Sequence, residues 1–95
     1  MDEKTFEKRS EQTLRELENF VETNYPDCEI EETQPFVFSI ETTKGLEIVV
    51  NRHAPNQEIW IASKQGAHHF HLVMDAWKDT RSDAELFTFL RQLLT

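Results

Sequence analysis

Residues 45–72 read GLEIVVNRHAPNQEIWIASKQGAHHFHL, and the alternation within this stretch decides the fold. Leu46, Ile48 and Val50 fall on one side of an extended chain and Glu47, Val49 and Asn51 on the other, the period of a strand with one buried face. The spacing predicts a break over Arg52 to Asn56, because Pro55 cannot donate to a sheet ladder and Asn56 suits a turn. Alternation resumes over Glu58 to Ser63, with Ile59 and Ile61 pointing inward. This leaves Trp60 facing outward with Glu58 and Ala62, although an indole is normally covered because of its large apolar area. Such a tryptophan marks a candidate contact surface. Lys64 to Ala67, with Gly66, supplies the next turn, after which His68, Phe70 and Leu72 alternate with His69, His71 and Val73. Three strands joined by short turns make an antiparallel meander.

The flanking segments follow from the same reading. Asp2 or Thr5 can cap a first helix on which Phe6, Ser10, Thr13, Leu14, Leu17 and Val21 share one face, and Tyr25 with Pro26 ends it near Asn24. A strand follows around Asp27 to Glu32 with Cys28 and Ile30 inward. Phe36, Phe38 and Ile40 mark a longer one that turns over Thr42 to Gly45. After the meander, Ala76 to Asp79 form a short last strand. Ser82 with Glu85 three positions on is a capping-box pattern, and Leu86, Phe87, Leu90, Leu93 and Leu94 form the apolar stripe of a second helix. Each helix and each strand has one apolar face. The economical arrangement is an α+β fold with both helices on the same face of an antiparallel five- or six-stranded sheet, the chain forming one domain over residues 1–95.

Ten basic residues against 18 acidic ones give a net charge of −8, which disfavours nucleic acid and anionic membrane as partners and favours cations or basic proteins. The single cysteine, Cys28, forms no intramolecular disulfide and cannot by itself hold an iron–sulfur cluster, which takes about four thiolates. No apolar run approaches the ~20 residues of a membrane-spanning helix, and the N-terminal composition is not that of a signal or transit peptide. The expectation is a soluble, cytoplasmic monomer.

Two groups of side chains carry chemistry. On a helix of ~100° per residue, Glu7, Glu11, Glu18 and Glu22 fall at about 0°, 40°, 20° and 60°, a narrow stripe interrupted by Arg15. Asp27, Glu29 and Glu31 alternate with Cys28 and Ile30, so their carboxylates share the exposed side of the first strand and can extend the stripe into one ridge. Hard cations such as ferrous iron accept carboxylate oxygens, and an open ridge without enclosing geometry binds them weakly and in numbers. The plain alternative is a solvated acidic face. His69 and His71, two apart on a strand, point the same way and form a bidentate pair for zinc, copper or iron, the basis of a competing metal-enzyme reading. A catalytic zinc wants a third protein ligand, a di-iron ferroxidase a Glu-x-x-His helical pair, and the sequence displays neither. His68 lies on the side of Phe70 and reads as a packed residue.

The separated strings IVVNR (48–52), Pro55, IW (59–60), KQG (64–66), HF (69–70) and AW (76–77), then Arg81 and Ser82, with Phe6, Glu18 and Glu22 in the first helix, resemble the bacterial frataxin family over most of the chain. The resemblance implies a frataxin-like α/β sandwich that binds iron (Fe2+ or Fe3+) weakly through Glu18, Glu22, Asp27, Glu29 and Glu31, extending to Glu7 and Glu11. It implies a non-enzyme of the bacterial cytoplasm that regulates, or supplies iron to, iron–sulfur cluster assembly by binding a cysteine desulfurase and its scaffold protein. The matching partner surface is Asn51, Arg52 and Trp60 on the sheet, with His69 beside them. The alternative is an iron-oxidising or other metal-dependent enzyme. His53 and Glu58 depart from the family pattern, which commonly has glutamine there, and a shorter NYPD segment (24–27) replaces the usual loop aspartates.

Overall fold

Asp2 begins the first element: its carboxylate accepts the Thr5 N–H at 2.7 Å, and helix α1 runs Glu3–Asn24. Its stripe of Phe6, Ser10, Thr13, Leu14, Leu17 and Val21 is buried as the periodicity requires. The computed structural model describes residues 1–95. Beyond Tyr25 and Pro26 the chain makes six strands, β1 (Glu29–Gln34), β2 (Val37–Glu41), β3 (Glu47–His53), β4 (Glu58–Ser63), β5 (Gly66–Val73) and β6 (Ala76–Asp79), and ends in helix α2 (Leu86–Leu94). The strands lie in chain order, every neighbour antiparallel.

Register sorts the side chains. Ile40 stands opposite Ile48, Phe38 opposite Val50, Val50 opposite Ile61, and Ile59 opposite Phe70. All of these are buried, with Phe6, Leu14, Leu17 and Val21 of α1 and Leu86, Leu90 and Leu94 of α2 in the same core. Both helices therefore cover one face of the sheet, and the other face is left open. Trp77 of β6 ties this assembly to the chain start: its indole N–H donates to Thr13 Oγ1 at 2.8 Å and its ring meets Phe6 edge-on at 6.1 Å.

Three local expectations are corrected. Arg52 and His53 do not belong to the break but to β3, where they pair with Ile59 and Glu58; the ladder outlasts the sequence cue because only Pro55 is unable to join it. Phe36 is not a strand residue: it sits at φ 60 in the turn after Pro35, the left-handed position that such a turn requires. Ser82 does not cap α2. Glu85 does, accepting from Phe87 N–H and Thr88 N–H at 3.0 Å each, while Ser82 Oγ accepts from Ala84 N–H. The reason is Asp79, buried at the end of β6, whose Oδ1 takes the N–H groups of Arg81 and Ser82 at 2.7 and 3.2 Å and folds the connection into a turn one step before the helix.

Asp79 also faces His68, 2.9 Å from its Nδ1, so His68 is packed on the helix side as its parity requires. Burial raises the Asp79 pKa, but the hydrogen bonds from Arg81, His68 and Ser82 outweigh it and hold the carboxyl below its ordinary value. A depressed folded-state pKa stabilises the protein above the unfolded value, about 3.9, and that contribution fades as pH falls through the folded value. Asp79→Asn is thus expected to cost about 1–3 kcal/mol in urea unfolding near neutral pH, with the deficit shrinking in acid below about pH 4. A deficit that is the same at both pH values would show that Asp79 acts by shape and not by charge.

Candidate functional site

The open face is organised by three rings in a row. Strand pairing sets Trp60 of β4 opposite Asn51 of β3 and His69 of β5, and sets Glu58 opposite His53 and His71. His53 reaches diagonally across, so that the indole lies between two imidazoles at centroid distances of 4.1 and 4.3 Å, both within 11° of parallel. The indole N–H donates to Glu58 Oε1 at 2.9 Å, and the same oxygen lies 3.8 Å from His69 Nδ1. His53 Nδ1 is shielded from water and has no hydrogen-bond partner. Trp60 is consequently half-buried in a fixed orientation with Asn51 exposed beside it.

Asn51, Trp60 and His69 are thus brought together, and Arg52 is not. Being one residue on from Asn51, it projects to the helix side. Its Nη1 donates to Glu11 Oε2 at 3.0 Å, to Ser10 Oγ at 3.3 Å and to the Glu7 carbonyl at 3.4 Å, and its guanidinium lies 5.0 Å from the Phe36 ring centre. The expected four-residue surface loses this member for a simple steric reason. His69 and His71 share a face as read, and the carboxylate that sequence could not assign to them is Glu58, across the strand. No three His, Cys, Asp or Glu side chains converge on a point that could hold a metal ion.

The acidic residues divide into two groups. On α1, Glu11 is paired to Arg52, and Glu18 to Arg15 at 3.1 Å; Arg15 reaches on to Glu32 of β1 with bonds of 2.9 and 3.1 Å. Arg15, first, and then the Phe36 N–H lower the Glu32 pKa, and Glu32 in turn raises that of Arg15. Glu7 and Glu22 are exposed on the helix and make no ion pair, and Asp27 is exposed in the turn that follows. Glu29 and Glu31 point to the opposite, open face of the sheet. There Glu29 stands opposite Glu41, and Glu41 opposite Glu47, a row of carboxylates across three strands. The single ridge of the sequence reading is therefore two acidic surfaces meeting at the edge strand β1. Register alone brings Glu41 and Glu47 into the row, although the strand period already puts Glu47 on the outward face. These oxygens are solvated and unenclosed, an arrangement suited to weak, exchangeable contact with hard cations.

The frataxin-like domain family matches residues 1–95. The iron-sulfur cluster assembly protein CyaY of Paraburkholderia phymatum is 37% identical over 87 residues, covering 92% of this chain and 82% of its own length. CyaY of Herminiimonas arsenicoxydans is 38% identical, covering 100% of this chain and 88% of its own length. Among solved structures, frataxin from Psychromonas ingrahamii superposes with a TM-score of 0.89 at 24% identity, covering 98% of this chain and 88% of that one, a likeness of fold. Trimeric frataxin from the yeast Saccharomyces cerevisiae, complexed with ferrous iron, gives 0.68 at 28% identity over 98% of this chain and 82% of that one. The bacterial relatives, the whole-length family match and the shared two-helix, six-stranded architecture agree, and the chain belongs to the frataxin family in its bacterial CyaY branch.

Proposed function

We propose that this chain serves iron–sulfur cluster assembly as an adaptor: it carries or senses iron on its acidic surfaces and docks on a cysteine desulfurase and scaffold through the open sheet face. The observation that carries the docking half is Trp60, an indole presented on an uncovered face and held in one orientation by two stacked imidazoles and Glu58. Rigid aromatic groups of this kind anchor protein contacts because little rotamer entropy is lost on binding. The names of the bacterial relatives support cluster assembly as the process, and the ferrous complex of the yeast relative supports iron as the cargo. Iron is met by Glu22, Asp27, Glu29 and Glu31 as the freest oxygens, with the unpaired Glu7 beside them and Glu18 and Glu11 contributing where their arginines release them. No helix is long and apolar enough to cross a membrane, and the chemistry fits a monomeric, non-catalytic protein of the bacterial cytoplasm.

Ion pairing makes the two helix glutamates unequal. Like charges at four-residue spacing destabilise a helix by ~0.2–0.5 kcal/mol. Glu22→Gln relieves that repulsion at no other cost, whereas Glu18→Gln also gives up its Arg15 partner. Glu22→Gln is therefore expected to raise Tm at low salt and Glu18→Gln to leave it nearly unchanged, while both weaken anaerobic ferrous binding in calorimetry. Iron affinity untouched by either change places the cargo elsewhere, and sustained turnover of ferrous iron beyond stoichiometry would mark a ferroxidase.

Docking has a separate kinetic signature. Exposed charge acts over about a Debye length, ~8 Å at physiological salt, and mainly sets association, whereas loss of a buried aromatic anchor costs ~2 kcal/mol or more and mainly speeds dissociation. Glu22→Lys with Asp27→Lys should slow association with the desulfurase–scaffold complex and flatten its salt dependence. Trp60→Ala, once shown folded by circular dichroism, should shorten the complex lifetime and leave the salt dependence alone. A lifetime equal to the parent's returns Trp60 to a purely structural role.

A further inference from the structure

The stack around Trp60 contains two groups whose charge changes near physiological pH, and they lie on the face proposed for docking. An imidazole is neutral or cationic within the range that cells and buffers span, so the stack can exist as a neutral aromatic platform or as a charged one. Its two imidazoles are not equivalent. A proton added at His69 Nδ1 meets the Glu58 carboxylate oxygen 3.8 Å away, whereas one added at His53 Nδ1 meets no acceptor. Glu58 is itself largely covered, its side chain 16% exposed, so it is a partner that solvent does not easily replace. The same Glu58 oxygen accepts the Trp60 indole N–H at 2.9 Å, so a charged His69 competes directly for the atom that orients the tryptophan.

Other charged groups face this site from each neighbouring strand. β3 contributes His53, β4 Glu58, β5 His71, and β6 Lys78, which stands opposite His71 and is 3.9 Å from Asp83. On the side away from β5, the open face carries the row Glu29, Glu41 and Glu47 with Glu31 beside it. A partner that covers this face therefore meets carboxylates at one end and the stack at the other, and charge complementarity calls for basic side chains on the partner. Neutral rings accept such a surface. A cationic His69 repels it, and sealing a charged imidazole away from water adds a desolvation cost.

We propose that docking on the open sheet face is proton-dependent, with His69 as the group that takes the proton and Trp60 and Glu58 as the groups that transmit it. At neutral pH the platform binds its basic partner; on acidification His69 becomes cationic, draws Glu58 from the Trp60 N–H and releases the partner. This rests on the docking surface proposed above. His53 stacks on the other side of the indole and keeps it flat.

Two measurements on the intact chain separate this inference from the reading beneath it. The first needs no partner: a nuclear magnetic resonance titration from about pH 8 to about pH 5, following the His69 ring carbons and the two indole N–H signals. The Trp60 indole N–H should move with the His69 midpoint, and His69→Gln should abolish the movement; a Trp60 signal indifferent to His69 overturns the inference. The second is affinity for the desulfurase–scaffold complex at two pH values. Where binding excludes an imidazolium, affinity falls by about an order of magnitude between about pH 7.5 and about pH 5.5. The parent should show a loss of that size, His71→Gln should keep it, and His69→Gln should reduce it to about twofold or less. A His69→Gln variant that retains the full loss assigns the dependence to other groups and overturns the inference. Trp60→Ala that binds like the parent at neutral pH overturns the docking reading itself, while the titration of the free chain still judges the Trp60–His69 coupling separately.

Discussion

Every second side chain of β1 to β6 points toward the helices, and the extended backbone leaves the other half no destination but the opposite face. Almost everything else in this protein depends on that parity. Phe38, Ile40, Ile48, Val50, Ile59, Ile61 and Phe70 occupy the inward rows and are excluded from water to within 1%, which leaves two helices enough apolar surface to close one core. There is no second layer for the outward rows. Both helices are committed to the core on the inward face, so nothing in residues 1–95 covers the outward rows. The open face thus follows from where the two helices pack.

Parity also explains how an acidic chain keeps its helix against its sheet. α1 carries its carboxylates above an edge strand that is itself acidic, an arrangement that electrostatics alone would push apart. Two arginines reverse the sign of the contact. Arg15 descends from α1 to Glu32, and Arg52 rises from β3 to Glu11, and between them they hold the Phe36 ring at 4.5 and 5.0 Å. Phe36 sits at φ 60, where a side chain costs roughly 1–2 kcal/mol. The two guanidiniums above its ring offset that cost and close the β1–β2 turn onto the helix. The remaining carboxylates of β1, Glu29 and Glu31, also put charge on an exposed edge that would otherwise invite pairing with another strand.

The elements that sequence made legible are those governed by short periods. The stripe of α1, the alternation of β3 to β5 and the outward Trp60 follow from spacings of two and between three and four residues, which survive in any register. What was not legible depended on contacts distant along the chain. The family resemblance groups Arg52 with Asn51, although adjacent strand residues cannot share a face, and its partner Glu11 lies 41 positions away on α1. Glu41 joins Glu29 and Glu47 only once three strands are in register. Ser82 and Glu85 have the spacing of a capping box, yet the buried carboxylate of Asp79 claims the N–H groups of Arg81 and Ser82 first, the second being the one a capping-box Glu85 would accept, and the helix starts at Leu86. A short-range motif yields to a buried charge because the charge has no water to fall back on.

The same hierarchy bears on how the candidate site keeps its shape. An exposed indole on a two-sided sheet would ordinarily sample several rotamers and lose that freedom on binding. Here the restriction is made in advance, by cross-strand neighbours on β3 and β5 whose positions are fixed by the ladder and by a carboxylate one step along β4. The ladder is in turn held by the inward residues directly behind it, Ile59, Ile61 and Phe70. Core packing and the geometry of the proposed docking face are therefore two sides of one register, and a shift by a single residue would bury Trp60 and expose Ile59 together. Selection for a folded chain and selection for a fixed Trp60 act on the same hydrogen bonds, which is why so small a domain can present a rigid surface without further structure to brace it.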